Sequence, residues 1–359
     1  MAPAADDATL ARRIERYLSA EERADVRVSG LKRFPVGFSW LTYGLVARGL
    51  PGRGDGPQPL ILRLGSDAGL FAPYSAWPQV WAMQSLAETA VPVPRAFWAS
   101  DDASILGAPF LFCEKVAGEA VVPWVSPSAP PLPDELRVAL GDQFTDALAA
   151  LHSLDWQPRP IARMAGMAPV ASGIDAGTVA QRVVAEWGAR IERWAMRPYP
   201  LVQWGLRWLE RNAPAAPRVA IVHGDYRTGN FLQEDGRITA ILDWELVHLG
   251  DPHEDLAWVS LPMYMGGSPY LCRLLEPGHF YTRYVTESGI AVSMESLHYY
   301  QVFSLLKLAA THMAAARCFE EGRSNDMRMP AMGSQVATCL RQMEREIRNG
   351  PKQARGASA

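Results

Sequence analysis

At 359 residues, with 48% hydrophobic and 20% charged side chains, the chain is an ordinary folded protein long enough for one large or two modest domains. Its formal net charge of −3 leaves no basic excess to meet a phosphate backbone, which argues against a nucleic-acid partner. Cys113, Cys272, Cys318 and Cys339 are scattered through apolar or helical stretches without a C-x-x-C pair, so they read as free thiols of a reducing, cytoplasmic compartment. Met1 to Asp7 is acidic where a secretory leader is basic, and the longest apolar stretch, Tyr299 to Ala316, is interrupted by Gln301, Lys307 and His312; neither a leader nor a membrane span is expected.

In chain order, Leu10, Ile14 and Leu18 at helical spacing predict an amphipathic helix over Thr9 to Ala20, and Val26 to Phe34 reads as a strand. Between strand-like pieces, Gly37, Ser39 and Thr42 form a small polar turn. It reads equally as a plain β-turn or as one whose backbone N–H groups approach an anion. The glycine-rich Pro51–Pro57 lacks a following Lys-Ser/Thr or helix and predicts only a hairpin tip. Pro59 to Gly65 is a strand carrying Arg63, and Ser75 to Glu88 a helix with Val80, Met83 and Leu86 on one face. The rigid link Val91–Pro94 leads to strands over Arg95–Ala99 and Pro109–Lys115. Pro123 to Pro133 reads as a surface loop, after which Asp134 is expected to cap a helix ending near His152.

Pro158 to Gly177 is irregular. The helices Val179–Ala195 and Leu201–Asn212 carry Trp187, Trp194, Trp204 and Trp208, which suit either core packing or the wall of an acceptor pocket. Further on, Asp251 is expected to cap a helix with Pro252 at its first position. Glu276–Ser288, Met294–Glu320 and Pro330–Arg348 predict three more helices, and Asn349–Ala359 a disordered tail.

The chemistry concentrates in Ile221–Asn230 and Ile241–Glu245. A β-branched run, Val219 to Val222, reads as a buried strand ahead of His223-Gly-Asp225. Phe231-Leu-Gln, the turn Glu234-Asp-Gly236 and Arg237 to Leu242 predict a tight hairpin delivering Asp243. The fold-back lets Asp225, Asn230 and Asp243 face one small volume. Phosphoryl transfer needs a carboxylate to orient and deprotonate the accepting hydroxyl, and oxygen ligands for a Mg²⁺ that neutralises phosphate charge. Asp225 suits the base, Asn230 and Asp243 the metal ligands, and Arg227 a cation beside the transferring group. An alternative groups His223 and Asp225 with Asp251, His253 and Asp255 as a metal-hydrolase cluster, although no H-E-x-x-H pair is present.

His223-Gly-Asp225 with Asn230 five residues on, followed by Leu242-Asp-Trp-Glu245, resembles the aminoglycoside phosphotransferase (APH) enzyme family, a small-molecule branch of the protein-kinase-like fold. The run Leu249–Trp258 is similar to the subfamily that includes the kinase-like domain of some long acyl-CoA dehydrogenases. The resemblance extends from about Arg33 onward. It implies an α+β, two-lobed fold: a small β-rich N-lobe over 1–116 with a five-stranded sheet and one main helix, a larger, mainly helical C-lobe over 117–348, and the tail 349–359.

ATP or GTP with Mg²⁺ would lie between the lobes, under the turn holding Gly37 and Ser39, with main-chain atoms of Glu114 to Val116 at the base. Arg63 replaces the lysine that kinases use on the α- and β-phosphates, and Gln79 falls where its glutamate partner stands, so an Arg63–Gln79 hydrogen bond is expected. Asp255 would brace the catalytic loop. The acceptor is a small hydroxylated molecule: an aminoglycoside, a choline-like amino alcohol, a hydroxyacyl thioester or a hydroxy acid. Arg182, Arg190, Arg193 and Arg197 near the pocket suit an anionic or apolar acceptor better than a polycation. The departures at Arg63 and Gln79 leave open a module that binds nucleotide or metabolite without turnover.

Overall fold

Alternation along three neighbouring strands sets up the first half of the chain. In the computed structural model, which describes residues 7–35, 37–53, 56–67, 69–121, 132–167 and 174–351, α1 (Asp7–Glu22) is followed by β1 (Arg27–Phe34), β2 (Leu41–Arg48) and β3 (Gln58–Leu64). Next come α2 (Trp77–Leu86), β4 (Ala96–Ser100), the short α3 (Ala103–Leu106) and β5 (Phe110–Glu114). The strands form an antiparallel sheet in the order β1-β2-β3-β5-β4. Leu60, Leu62 and Leu64 point to one face, where they pack with Leu10, Ile14 and Leu18 of α1 and with Phe110 and Phe112. The period of two sends Ile61 and Arg63 to the other face, the side of α2.

The second half is mainly helical. A two-residue strand β6 (Glu119–Ala120) and the helices α4 (Asp134–Ser153), α5 (Val179–Trp194) and α6 (Pro200–Arg211) precede four short strands: β7 (Ala220–Val222), β8 (Phe231–Glu234), β9 (Arg237–Ile241) and β10 (His248–Gly250). After them come α7 (His253–Trp258), α8 (Pro262–Met265), α9 (Pro277–Ser288), α10 (Met294–Glu320), α11 (Arg328–Gly333) and α12 (Val336–Asn349). The expected β8–β9 hairpin is present, with Phe231 opposite Ile241. The pairing of β7 with β10, Val222 opposite His248, links segments that no local pattern connects. α10 runs for 27 residues through the centre of this half and buries Tyr300, Phe303, Lys307 and Ala310.

The architecture is the expected α+β fold, a small antiparallel sheet unit joined to a larger helical one. Three local expectations need correcting. Asp134 is the first helical residue and Pro133 the cap; the Asp134 carboxylate is taken by Arg137 one turn on. Pro252, not Asp251, occupies the cap of α7, though Asp251 Oδ1 still accepts the His253 N–H at 2.9 Å. The helix expected over Pro330–Arg348 is two helices. The break follows Gly333, which packs so tightly on α10 that a Cβ would meet that of Ala316 at 2.8 Å.

The four cysteines are free and buried, and no helix among the described residues is long and apolar enough to cross a membrane. Within Pro158–Gly177 a 3-10 stretch occupies Pro160–Met167. Residues 54–55 of the hairpin tip, 168–173 of the irregular stretch, 123–131 of the expected surface loop and 352–359 of the expected tail lie outside the described residues.

Ile14 is fully buried between α1 and the sheet. Ile14→Ala is expected to lower stability by about 2–5 kcal/mol through lost burial and the cavity left behind, read as a shifted urea midpoint.

Candidate active site

The buried strand β7 ends at His223, and the next residues turn sharply. Gly224 has φ +82°, and a Cβ there would meet the Leu246 carbonyl oxygen at 2.6 Å, so this position requires glycine. The turn is held from below by Asp255, whose carboxylate accepts the N–H groups of His223 at 2.7 Å and Gly224 at 2.9 Å. Asp255 also faces His152 Nε2 at 3.2 Å, and His152 Nδ1 faces the Tyr284 hydroxyl at 2.9 Å. Burial works against the Asp255 charge, but His152 offsets it and holds the carboxyl below its usual range. The bracing role expected of Asp255 is thus seen in its hydrogen bonds.

His223 explains the spacing around it. Its Nδ1 accepts the Asp225 N–H at 3.1 Å, and its Nε2 donates to the Leu242 carbonyl at 2.8 Å. The ring is therefore a neutral Nε2–H tautomer, and burial lowers its pKa accordingly. It staples the loop to the end of β9, one residue before Asp243. Asp243 itself takes the left-handed conformation, φ +66°, unusual for a non-glycine residue and a form of strain that recurs at functional sites.

Both oxygens of the Asp225 carboxylate accept hydrogen bonds. Oδ1 accepts from Arg227 Nε at 2.9 Å and from the Trp258 indole at 2.8 Å, while Oδ2 accepts from Asn230 Nδ2 at 2.7 Å. Burial works against the Arg227 charge, but Asp225 beside it more than compensates and raises its pKa. Asp243 Oδ1 accepts from Arg63 Nη2 at 2.8 Å. Burial alone would raise the Asp243 pKa; Arg63 outweighs it and the shift is downward. The expected Arg63–Gln79 hydrogen bond is not formed. Gln79 is buried with its Nε2 unpartnered, because the longer guanidinium reaches across to a charge instead of a neutral amide.

Ser39 is buried at the turn over this cluster, and Gly37 enters that turn with φ +80°. Glu114 closes β5 three positions along from Leu111, the strand partner of Arg63, and Val116 follows it, partly buried. Glu245 belongs to the motif but had been given no role. Its Oε2 has no hydrogen-bond partner, and burial together with the neighbouring Asp243 pushes its pKa up to about 8. Trp258 and Lys307 were also missed, although Lys307 was visible as the one charge inside an apolar helix.

Lys307 is almost wholly buried, with Nζ 2.8 Å from Glu254 Oε1. His248 faces Glu254 Oε2 and the Leu246 carbonyl, each at 3.0 Å. Two acceptors on one ring require the imidazolium, consistent with a pKa that Glu254 raises against the effect of burial.

The hydrolase alternative finds no support. Both ring nitrogens of His223 are occupied, and His253 is held by Asp251 and by the Ser293 N–H. Among the described residues no group of three or more His, Cys, Asp or Glu side chains is arranged around a metal.

A cavity of about 630 Å³ is lined by none of the expected catalytic residues. Leu261 and Met263, just after Trp258, form part of its wall with Leu305, Leu308, Met332 and Arg328, and the Arg328 guanidinium sits 4.4 Å from the ring of Phe38 in the turn that holds Ser39. No aspartate or glutamate lines it. The four tryptophans divide: Trp187 and Trp194 are core, Trp208 stacks on Tyr299, and Trp204 is 37% exposed. Trp194 and Arg197 border a second hollow of about 380 Å³.

Burial tends to raise the Glu254 pKa, but Lys307 and His248 bring it down to about 2 from an ordinary 4.5. A depressed carboxyl contributes stability that is complete above the ordinary value and lost as pH falls toward 2. Glu254→Gln should therefore lower stability at pH 7 by on the order of 3 kcal/mol and flatten its acid dependence, as measured by denaturant unfolding between pH 3 and 7.

The profile of the phosphotransferase enzyme family (APH) matches residues 32–281, more than half of the chain. Acyl-CoA dehydrogenase family member 10 of Mus musculus is 28% identical over 245 residues, covering 64% of this chain and 21% of that protein. Family member 11 of Homo sapiens is 32% identical over 177 residues, covering 47% and 21%, and member 11 of Mus musculus 28% over 280 residues, covering 73% and 34%. The chain thus spans a fifth to a third of these curated relatives. A protein of Ralstonia eutropha provisionally described as an aminoglycoside phosphotransferase superposes with a TM-score of 0.68 at 21% identity, over 95% of this chain and 99% of that one. A thermostable mutant of aminoglycoside phosphotransferase APH(4)-Ia, in ternary complex with ADP and hygromycin B, gives 0.59 at 16% identity over 95% and 99%. These likenesses carry the fold, and the profile match carries the membership: the chain belongs to the phosphotransferase enzyme family.

Proposed function

We propose that the protein is an ATP-dependent phosphotransferase that moves the γ-phosphate to a hydroxyl of a small molecule. The observation that carries this reading is two neighbouring contacts, Asn230 to Asp225 at 2.7 Å and Arg63 to Asp243 at 2.8 Å, with the charge of Arg227 felt by both carboxylates. Asp225 accepts the hydroxyl proton, and its three donors hold the carboxylate in one orientation. Residues 1–116 form the nucleotide lobe and 117–348 the catalytic and acceptor lobe. Arg63 and Arg227 contact phosphate oxygens, with Gly37 and Ser39 above them, Gln79 nearby, and the Glu114–Val116 backbone at the base of ATP or GTP. The ADP in the APH(4)-Ia complex, and the GDP in a complex of APH(2")-IIIa with kanamycin, support nucleotide use. The free buried thiols suit a cytoplasmic setting.

The donor set fits Mg²⁺. Both side-chain hydrogen bonds of Asn230 use its amide nitrogen, leaving Oδ1, and Asp243 gives Arg63 a single oxygen. Glu245 Oε2 is without a partner beside them. Mg²⁺ typically takes one or two carboxylates with phosphate oxygens and water, so Asn230 and Asp243 would suffice to hold it. Bound there, it would neutralise charge on the phosphates.

The cavity narrows the acceptor. Its acid-free, largely apolar wall favours a hydroxylated molecule with an apolar body over a polycationic aminoglycoside, and the Arg328 charge at one side is already paired with Asp326 at 2.6 Å. The Arg63–Asp243 pair favours a second reading, a module that binds nucleotide without turnover, because it occupies the phosphate and metal groups with each other.

An ADP-release screen of hydroxylated metabolites, aminoglycosides included, decides between the two. Turnover with apolar hydroxy compounds is expected; nucleotide binding with no ADP released from any acceptor would favour the module. Asp225→Asn should cut turnover about a hundredfold or more while nucleotide affinity, measured by calorimetry, changes little. Arg63→Ala should instead weaken nucleotide binding.

A further inference from the structure

The loop before Asp225 is gripped on both sides of one residue, Gly224, by buried charges of opposite sign. Asp255 takes the Gly224 N–H at 2.9 Å, and Lys307 Nζ donates to the Gly224 carbonyl, the group immediately before Asp225. Lys307 comes from the middle of α10, 83 positions from Gly224, and is 1% exposed. An ammonium so desolvated is costly unless paired and fully bonded. Here it has Glu254, the Gly224 carbonyl and two indole faces, Trp258 with its ring centroid at 4.7 Å and Trp187 at 5.4 Å. Trp258 is also the residue whose indole N–H reaches Asp225 Oδ1 at 2.8 Å.

Glu254, Asp255 and Trp258 all belong to α7, and every residue of that helix is buried. Glu254 and Trp258 are four apart, so they lie on one face and meet the same ammonium. One short helix thereby seats Lys307, holds the loop N–H groups and aims a donor at the carboxylate. The structure has ordinary ways to fill this space with apolar side chains. An ion pair in their place orients groups, whereas apolar packing would only fill volume.

We propose that Lys307 and Trp258 are positioning residues for phosphoryl transfer: Lys307 fixes the Gly224 carbonyl and the plane of the Trp258 indole, and Trp258 fixes the rotamer of Asp225. The inference rests on Asp225 as the base. It assigns the two residues an effect on turnover with little on nucleotide binding, because neither contacts Arg63, Asp243 or Ser39 in the structure.

The test uses the full chain and MgATP, with ADP release to water or to any acceptor found by screening, and ¹⁵N-tryptophan labelling as a readout that needs no acceptor. Trp258→Phe keeps the ring over Lys307 and removes only the N–H. Lys307→Met with Glu254→Gln removes both charges of the closed pair together; His248, whose imidazolium Glu254 sustains against burial, then gives up its proton, so no charge is left buried alone. In wild type the Trp258 indole signal, identified by its loss in Trp258→Phe, is expected to be protected from hydrogen exchange. It should lose that protection at least tenfold in the double variant and in Asp225→Asn. Both the Phe variant and the double variant should retain a cooperative unfolding transition, with kcat down about tenfold and KM for MgATP within threefold.

Wild-type kcat and an equally protected indole in the folded double variant would overturn the proposal. So would a loss of kcat in Trp258→Phe that only tracks a loss of folded protein. Asp225→Asn separates the two levels. Full turnover in that variant rejects the base assignment, whereas a dead Asp225→Asn beside fully active Trp258→Phe and double variants rejects the positioning role alone.

Discussion

The site depends on one carboxylate that performs no chemistry. Asp255 accepts two consecutive backbone N–H groups at the start of the catalytic loop, and without it those donors would be buried and unsatisfied. The charge is tolerable because His152 and two amides meet it, and because Tyr284 completes the imidazole's bonding. The order of support runs outward from Asp225: it is oriented by its neighbours, the neighbours by the loop, and the loop by α7 and α10. The proposed reaction would work by prearranged dipoles, so rigidity behind the carboxylate would matter as much as the carboxylate.

Charges in the site are balanced in pairs. Arg63 lies with Asp243, Arg227 with Asp225, and Lys307 with Glu254. The first two pairs are partly open to solvent, and their partners are the groups the proposed reaction would use. The third is closed and structural. Glu245 forms no ion pair of its own, and burial with the neighbouring Asp243 raises its pKa although Arg63 works in the other direction. Arg63, at the position where the resemblance expects a lysine, reaches Asp243, and Gln79 Nε2 is left without a partner.

Family membership and fold leave the acceptor to the walls of the helical half. The proposed acceptor cavity there has apolar walls without a carboxylate, and Arg328 at its edge is paired with Asp326. Arg328 also reaches Phe38 of the sheet half, and Arg323 donates to the carbonyls of Asp67 and Gly69. The segment between α10 and α12 therefore touches both halves of the molecule.

The sequence by itself determined what local chemistry controls. The His223–Asp243 hairpin, with its spacing of Asp225, Asn230 and Asp243, follows from turn residues and period-two strands within a single stretch. The α1 stripe and the limits of α10 follow from periodicity and a serine cap. Helix ends resting on one residue, at Asp134, Asp251 and Gly333, were misplaced because several nearby groups compete to cap or break there. Tertiary structure alone decided the partners that come from far along the chain. Arg63 meets Asp243 across 180 positions, and Lys307 meets Gly224 across 83. Such pairings depend on which buried charges can find complete bonding once the core closes, and neither spacing nor propensity records that.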